Sequence, residues 1–333
     1  MGTHETKQAQ RTVKLGSTGP EVFPLGLGCM GMSGMYGATD DAESIRTIQA
    51  AIDRGVTLLD TGDFYGMGHN ELLVGRAISG RREKVQLSVK FGALRGPDNS
   101  WGGVDTRPVA VKNFAAYSLK RLGVDVIDIY RPARLDPNVP IEDTIGAIAD
   151  LVKAGYVRHI GLSEVGAETI RRAHRVHPIV DLQIEYSVAS RGPEDNLFPV
   201  LKELGLSATL YGVLSRGLLT GSKPKGPGDF RAWLPRFTGD NAARNEQSVS
   251  ALQRFAQERK MTPGQLAIAW VLARQPGFVP VIGAKTRAQL EDALGALERP
   301  LSKEDASALK ALVTVSGERY GAEQMKHLDS ERR

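Results

Sequence analysis

Along most of the chain, short apolar or alternating runs take turns with amphipathic stretches of helical spacing. The strand candidates are 22–30, 56–62, 85–92, 126–131, 157–163, 180–186, 207–213 and 278–284, eight in all. Between them the apolar spacing predicts helices over 42–55, 70–78, 108–123, 141–155, 167–176 and 194–205. Two more, 245–260 and 263–275, follow the seventh strand, and 288–297 follows the eighth. Gly55, Gly123, Gly155 and Gly205 stand just past the last apolar position of their helices, where a left-handed cap is needed, and a strand follows at once.

Strict strand–helix alternation implies a parallel sheet, and eight units with no break in composition predict an α/β fold of the closed (β/α)8 TIM-barrel type. An open doubly wound sheet is disfavoured because no GxGxxG turn follows a strand candidate, the GLGCMG of 26–31 lying largely within the first. KLGSTGPEV predicts an N-terminal hairpin sealing the barrel floor, and the segment from residue 301 predicts an extra C-terminal helix. A single domain is therefore expected over 12–315, with residues 1–11 and 316–333 as flexible tails. Residues 221–245, rich in glycine and proline, are expected as one long loop, a lid or a mobile segment.

Composition narrows the function classes. The chain has 333 residues, 41% hydrophobic and 24% charged, enough for one large barrel. The net charge of +5 is spread without a Lys/Arg block, which argues against a nucleic-acid groove but leaves room for a basic phosphate pocket. Cys29 is the single cysteine, so disulfide frameworks and cysteine metal sites are excluded and a cytoplasmic location is expected. The polar N-terminal stretch lacks the apolar segment of a secretory signal, and no run of about 18 apolar residues occurs. No membrane or metal site is expected, and nothing in the sequence assigns an oligomeric state.

The residues that interrupt the apolar runs fall at the C-terminal ends of the strand candidates, where the active sites of such barrels lie. Asp60 and Tyr65 end the second, Lys90 the third, and Arg131 and Arg134 follow the fourth. Ser163 and Glu164 end the fifth, Gln183, Glu185 and Tyr186 the sixth; Tyr211 and Ser215 leave the seventh and Lys285 the eighth. A buried ion is costly unless paired, so Asp60 and Lys90 on neighbouring strands are expected to form a pair. Asp63 reads as a loop cap or solvated side chain, and His69, just before a candidate helix cap at Asn70, is the histidine nearest the expected mouth.

TLLDTGDFYG (57–66) resembles the signature of the aldo-keto reductases. So do LGLGCMGMS (25–33), the strand ending at Lys90, IEDTIGAIADLVKAGYVRHIGLSE (141–164), QIEYS (183–187), LYGVLSRGLLTG (210–221) and VPVIGAKTRAQLEDALGAL (279–297). The resemblance runs in order from about residue 12 to 315. It implies a metal-free barrel enzyme that uses NADPH to reduce a small-molecule aldehyde or ketone. Carried over by position, Tyr65 would be the general acid and Lys90, held by Asp60, would lower its pKa, since a free phenol near pKa ~10 is a poor acid at neutral pH. Ser163, Glu164 and Gln183 would meet the nicotinamide carboxamide, and Tyr211 would stack on the ring. Leu214, Ser215 and Gly217 would follow the pyrophosphate, and Lys285, Thr286, Arg287 and Gln289 would surround the adenosine phosphate. Met30, Ala133, Trp101 and Trp233 would line the substrate pocket.

One departure matters most. The family normally places a histidine before Arg-x-Asp-Pro after the fourth strand, and here ARLDP puts Ala133 in its place. Loss of one oxyanion-hole donor costs about 2.7–4 kcal/mol in systems where it has been measured. The chain then reads as a reductase relying on Tyr65 and Lys90, or recruiting water or Arg131 as donor. The alternatives are a weakly active NADPH-binding regulatory partner and a lysine-dependent barrel aldolase using Lys90.

Overall fold

The computed structural model describes residues 12–98, 100–226 and 229–331. A hairpin of β1 (Val13–Lys14) and β2 (Glu21–Val22) precedes the first barrel strand, β3 (Gly26–Gly28). Next come helix α1 (Asp41–Asp53), β4 (Leu58–Gly62), α2 (His69–Ile78) and β5 (Gln86–Phe91). A second hairpin, β6 (Ala93–Arg95) with β7 (Trp101–Val104), interrupts the alternation before α3 (Pro108–Leu122). The pattern resumes with β8 (Ile127–Pro132), α4 (Ile141–Lys153), β9 (Val157–Ser163), α5 (Ala167–Val176) and β10 (Ile179–Glu185). It continues through α6 (Pro193–Asn196), α7 (Phe198–Leu204), β11 (Ser207–Tyr211), α8 (Gly239–Glu258), α9 (Pro263–Arg274) and β12 (Val279–Gly283). The last elements are α10 (Arg287–Leu294), α11 (Lys303–Leu312) and α12 (Ala322–Lys326).

Strands β3, β4, β5, β8, β9, β10, β11 and β12 close into a parallel barrel, and register between β12 and β3 (Val281 beside Gly26) completes the ring. The expected (β/α)8 barrel is the observed fold. Leu15 and Val22 of the hairpin pack with Leu58, Ile129, Val180, Val279 and Val281, so an apolar plug fills the N-terminal end of the barrel. Among the described residues, no helix is long and apolar enough to cross a membrane.

Three local expectations are corrected. The helix expected over 194–205 is broken at Leu197, because Pro199 in the first turn of α7 has no N–H to continue the α6 ladder. The stretch 221–245 is not one loop: short 3-10 turns occupy Phe230–Trp233 and Pro235–Phe237, and α8 already starts at Gly239. Residues 227 and 228 of that stretch lie outside the described residues, as do the expected flexible tail 1–11 and residues 332–333. Residues 316–331, expected as a flexible tail, are folded onto the barrel mouth, with Arg319, Tyr320 and Leu328 buried.

Candidate active site

The interior of the barrel turns polar above its apolar plug. Arg131 on β8 is fully buried and donates from Nη1 to Asp181 Oδ2 on β10 at 2.9 Å. Its Nη2 donates to Ser88 Oγ on β5 at 3.1 Å, and Thr209 Oγ1 on β11 donates to Asp181 Oδ2 at 2.6 Å. Ser88 in turn donates to Asp60 Oδ2 at 2.9 Å, which joins this layer to the one above. Arg131, one candidate for a carbonyl donor, is therefore occupied inside the barrel and does not stand at the mouth.

In the upper layer the ammonium of Lys90 on β5 pairs with Asp60 Oδ1 on β4 and donates to Gln183 Oε1 on β10 at 2.7 Å. Gln183 Nε2 donates back to Asp60 Oδ2 at 2.8 Å, closing a three-membered ring of buried groups. Burial pulls Lys90 below its ordinary pKa, and the Asp60 carboxylate opposes that pull.

Tyr65 follows β4 on a turn made by two glycines in left-handed conformation, Gly66 (φ 57°) and Gly68 (φ 92°). Asn70 anchors this turn: its Oδ1 accepts from Thr61 Oγ1 at 2.7 Å, and its Nδ2 donates to Cys29 O at 2.8 Å. The helix begins one residue earlier, at His69, so Asn70 is an internal clamp rather than the cap. His69 is bonded to Ser33 Oγ (2.9 Å) and to Asp41 (3.1 Å).

The Tyr65 ring lies beneath Lys90, with Nζ 5.3 Å from the ring centroid. Among the described residues its hydroxyl makes no hydrogen bond within the chain, in contrast to Tyr130, Tyr186 and Tyr211. Burial, then Asp60, push its pKa well above the ordinary value, with Arg134 opposing. The expected lowering by Lys90 is thus not what this arrangement gives: the ammonium is taken up by Asp60 and Gln183 instead of facing the phenol oxygen.

Beside Tyr65, Asp63 is also buried. Its Oδ2 accepts only a 3.3 Å bond from Gly92 N, and Oδ1 has no partner. Burial, then the neighbouring Glu71, raise its pKa from 3.8 to about 7, so it is neither a solvated side chain nor a simple cap. The sign follows from linkage. Above pH ~4 the unfolded chain loses this proton while the folded chain keeps it until about 7, so Asp63 makes stability fall as pH rises through that window. Asp63→Asn is expected to be more stable than the parent at pH 8, with the gain shrinking toward pH 4. Urea denaturation at the two pH values checks this, and equal differences at both would contradict it.

On the far side of the mouth, Glu164 does not stand free for a ligand. It adopts φ 54°, and its carboxylate accepts from Arg319 (2.8 and 2.6 Å), Tyr211 OH (2.7 Å), Ser330 Oγ (2.8 Å) and Glu185 N (3.1 Å). Burial alone would raise its pKa, but Arg319 more than offsets this and the carboxyl falls to about 2. Ser163 is buried at the end of β9, in register with Gln183. The turn after β11 runs from Leu214 through Ser215, Arg216 and Gly217, the last three at φ 47°, 55° and 88°. Two non-glycine residues at positive φ are costly unless held from outside. Here Arg236 donates to Ser215 Oγ (3.0 Å) and Arg231 to the Arg216 carbonyl (3.1 Å).

At the end of β12, Lys285 Nζ donates to Tyr36 O at 3.2 Å, and Thr286 caps α10 by accepting from Gln289 N. Gln289 Oε1 accepts from Lys285 N at 2.8 Å. Arg287 departs from the expected cluster, being paired with Glu43 on α1 at 3.2 Å. Lys225 and Arg231 bear electrostatically on Lys285, while Asp229 is held by Arg231 at 2.7 Å. Of the expected pocket residues, Ala133 is buried beside the β5 end, accepted by Phe91 O through its N–H (2.8 Å), and Met30 is half-buried in the turn Met30–Ser33. Trp101 and Trp233 are not brought to this floor: they are 56% and 74% exposed.

A ring of lysine, aspartate and glutamine packed against an uncommitted tyrosine thus stands at the C-terminal mouth of a closed barrel. The sequence profile of the Aldo/keto reductase family matches residues 24–314. The chain belongs to this family. It is 40% identical over 324 residues to a protein named probable aldo-keto reductase 1 from Glycine max, covering 94% of this chain and 93% of that one. Among solved structures, a glycerol dehydrogenase from Gluconobacter oxydans superposes with a TM-score of 0.82 at 25% identity, covering 98% of both chains. The holo form of an aldo-keto reductase from Bacillus halodurans gives 0.77 at 28% identity, over 93% of this chain and 98% of that one. Membership of the family implies carbonyl reduction with a nicotinamide cofactor.

Sequence reasoning missed much of what shapes the mouth. Asp181 had a signal, since Asp181, Gln183 and Glu185 alternate along one strand face. Lys225, Arg236 and Arg319 had none, because each sits in a segment without periodicity.

Proposed function

We propose that the chain reduces aldehydes or ketones to alcohols with NADPH, using Tyr65 as general acid. The observation that carries this reading is the Tyr65 hydroxyl, uncommitted within the chain among the described residues, on a ring packed under Lys90 of the buried Asp60–Lys90–Gln183 set. A donor of this kind must be free to meet its acceptor, and a hydroxyl already tied to a carboxylate would not be. A bound nicotinamide supplies the hydride. Tyr65 would pass its proton to the carbonyl oxygen, which with that hydride on the carbon would turn C=O into H–C–O–H. The ring of the tyrosinate that results would stay 5.3 Å from the Lys90 ammonium, whose partner Asp60 is itself fixed by Ser88.

The donor set at the other end suits a phosphorylated cofactor. Lys225 and Arg231 both bear on Lys285, opposed by Asp229, which Arg231 already holds, and a dianionic phosphate would relieve this excess of positive charge. In this reading Lys285, Lys225 and Thr286 meet the 2′-phosphate, Leu214–Gly217 follow the pyrophosphate, and Ser163, Gln183 and Tyr211 surround the nicotinamide. Lys285→Ala is expected to weaken NADPH roughly 10- to 100-fold, the worth of one charged hydrogen bond, and NADH far less. Fluorescence titration with both nucleotides tests this, and equal weakening would place the 2′-phosphate elsewhere.

Ala133 favours a second reading, a slow enzyme serving as an NADPH-binding regulatory partner. Ala133→His separates the two. Because the residue is only 1% exposed, the larger ring is expected to overpack the mouth, costing about 1–3 kcal/mol of stability without faster turnover. Faster reduction of simple aldehydes by this variant would instead mark the alanine as a loss of catalytic function.

A further inference from the structure

The residue after Ala133 brings a charge that pairs with no carboxylate among the described residues. Lys90, Arg134, Arg216, Arg236 and Arg319 are among the cations at the mouth. Lys90 pairs with Asp60, Arg216 and Arg236 pair with Glu185 at 2.9 and 3.3 Å, and Arg319 pairs with Glu164 at 2.6 Å. Arg134 has no carboxylate partner among the described residues. It donates from Nη1 to its neighbour's carbonyl, Ala133 O, at 2.7 Å and reaches Tyr320 OH only at 3.5 Å. A guanidinium carries five N–H donors, so most of this one's capacity is unused. The nearest carboxylate to act on it, Glu164, is saturated by Arg319, Ser330, Tyr211 and the Glu185 N–H.

The position of this charge separates it from the cofactor's phosphates. Arg216, Lys225 and Lys285 lie on the segments after β11 and β12, whereas Arg134 follows β8, and its field reaches the Tyr65 phenol and Lys90. Tyr65 and Arg134 therefore flank one end of the mouth, on the segments after β4 and β8, with β5 between them. An arginine fork matches the two oxygens of a carboxylate or phosphate, and a partly desolvated guanidinium without a counter-ion favours binding one.

We propose that Arg134 selects carbonyl substrates carrying an anionic group, carboxylate or phosphate, within a few bonds of the carbonyl, and holds that group while Tyr65 addresses the carbonyl oxygen. This rests on the reductase reading and adds the substrate class. It also accounts for Ala133: a small side chain leaves the approach to the guanidinium clear, and the bound anion takes over the orienting role of the missing histidine.

The test uses matched pairs on the full chain with NADPH: 4-formylbenzoate against its methyl ester, and glycolaldehyde phosphate against glycolaldehyde. The parent protein is expected to favour the anionic member of at least one pair by tenfold or more in kcat/KM, and the favoured pair says whether carboxylate or phosphate is the natural group. Arg134→Gln is expected to bring that ratio close to one, mainly through KM, and Arg134→Lys to keep part of it. A ratio near one in the parent for both pairs, or an undiminished ratio in Arg134→Gln, overturns the proposal. If no carbonyl compound oxidises NADPH, the reductase reading itself fails. Calorimetric binding of unreactive terephthalate against its dimethyl ester then decides Arg134 separately: binding of the dianion that Arg134→Gln abolishes supports the anion site, and equal binding by both proteins removes it.

Discussion

Tyr65→Phe is expected to lower NADPH-dependent aldehyde reduction at least a hundredfold and to leave NADPH affinity within about twofold. General acid catalysis contributes typically 10²–10⁴ to rate, and the substitution removes the proposed proton donor while keeping the ring under Lys90. The fold should tolerate it well. The hydroxyl has no partner in the chain among the described residues, so its loss strands no buried donor or acceptor. Steady-state kinetics with an aromatic aldehyde, alongside fluorescence titration of NADPH, separates the two effects. Turnover equal to that of the parent would remove Tyr65 as the acid; loss of cofactor binding would mean that the ring's role is structural.

The largest effect on stability is expected one layer lower. Arg131→Leu removes the cation from a pair in which both side chains are fully buried, leaving Asp181 with Thr209 and no positive charge. Breaking such a pair typically costs about 3–5 kcal/mol, because the remaining charge is desolvated and unpaired. The double variant Arg131→Leu, Asp181→Leu is expected to recover a large part of that loss, since it strands no ion. As a comparison, Arg54→Ala breaks a pair with Glu291 whose partners are 49% and 48% exposed, and should cost at most about 1 kcal/mol. Urea denaturation of the three variants orders them. A double variant as unstable as Arg131→Leu would show that the arginine acts through packing and its bond to Ser88, not through the charge of Asp181.

Eight strands were legible because each is a run of buried apolar residues between amphipathic helices, and that periodicity depends only on local sequence. The neighbourhood of Asp60 and Lys90 was legible for a related reason: parallel register puts equivalent strand ends side by side, so polar residues ending successive strands must meet. What was not legible is how hydrogen-bonding capacity is shared once they meet. Gln183, read as a cofactor ligand, bridges Lys90 and Asp60, and Glu164, read the same way, is filled by Arg319 and Ser330 from 155 and 166 residues away. Nothing local to GLSE indicates those partners, because they come from a segment whose composition reads as a solvated tail. Arg131 was placed at the mouth because it ends an apolar run, but its long side chain turns inward to Asp181 and so belongs to the layer below. Trp101 and Trp233, expected as lining residues, are mostly exposed, and local sequence carries no measure of how far a loop aromatic stands from the floor.

Proton transfer from Tyr65 is the claim on which the account stands, and a crystal structure with oxidised cofactor and an unreactive carbonyl ligand tests it most directly. The carbonyl oxygen is expected within hydrogen-bond reach of Tyr65 Oη, about 2.6–3.2 Å, with the nicotinamide ring against Tyr211. A carbonyl held beyond that reach, or a nicotinamide bound away from the Asp60–Lys90–Gln183 ring, would contradict it.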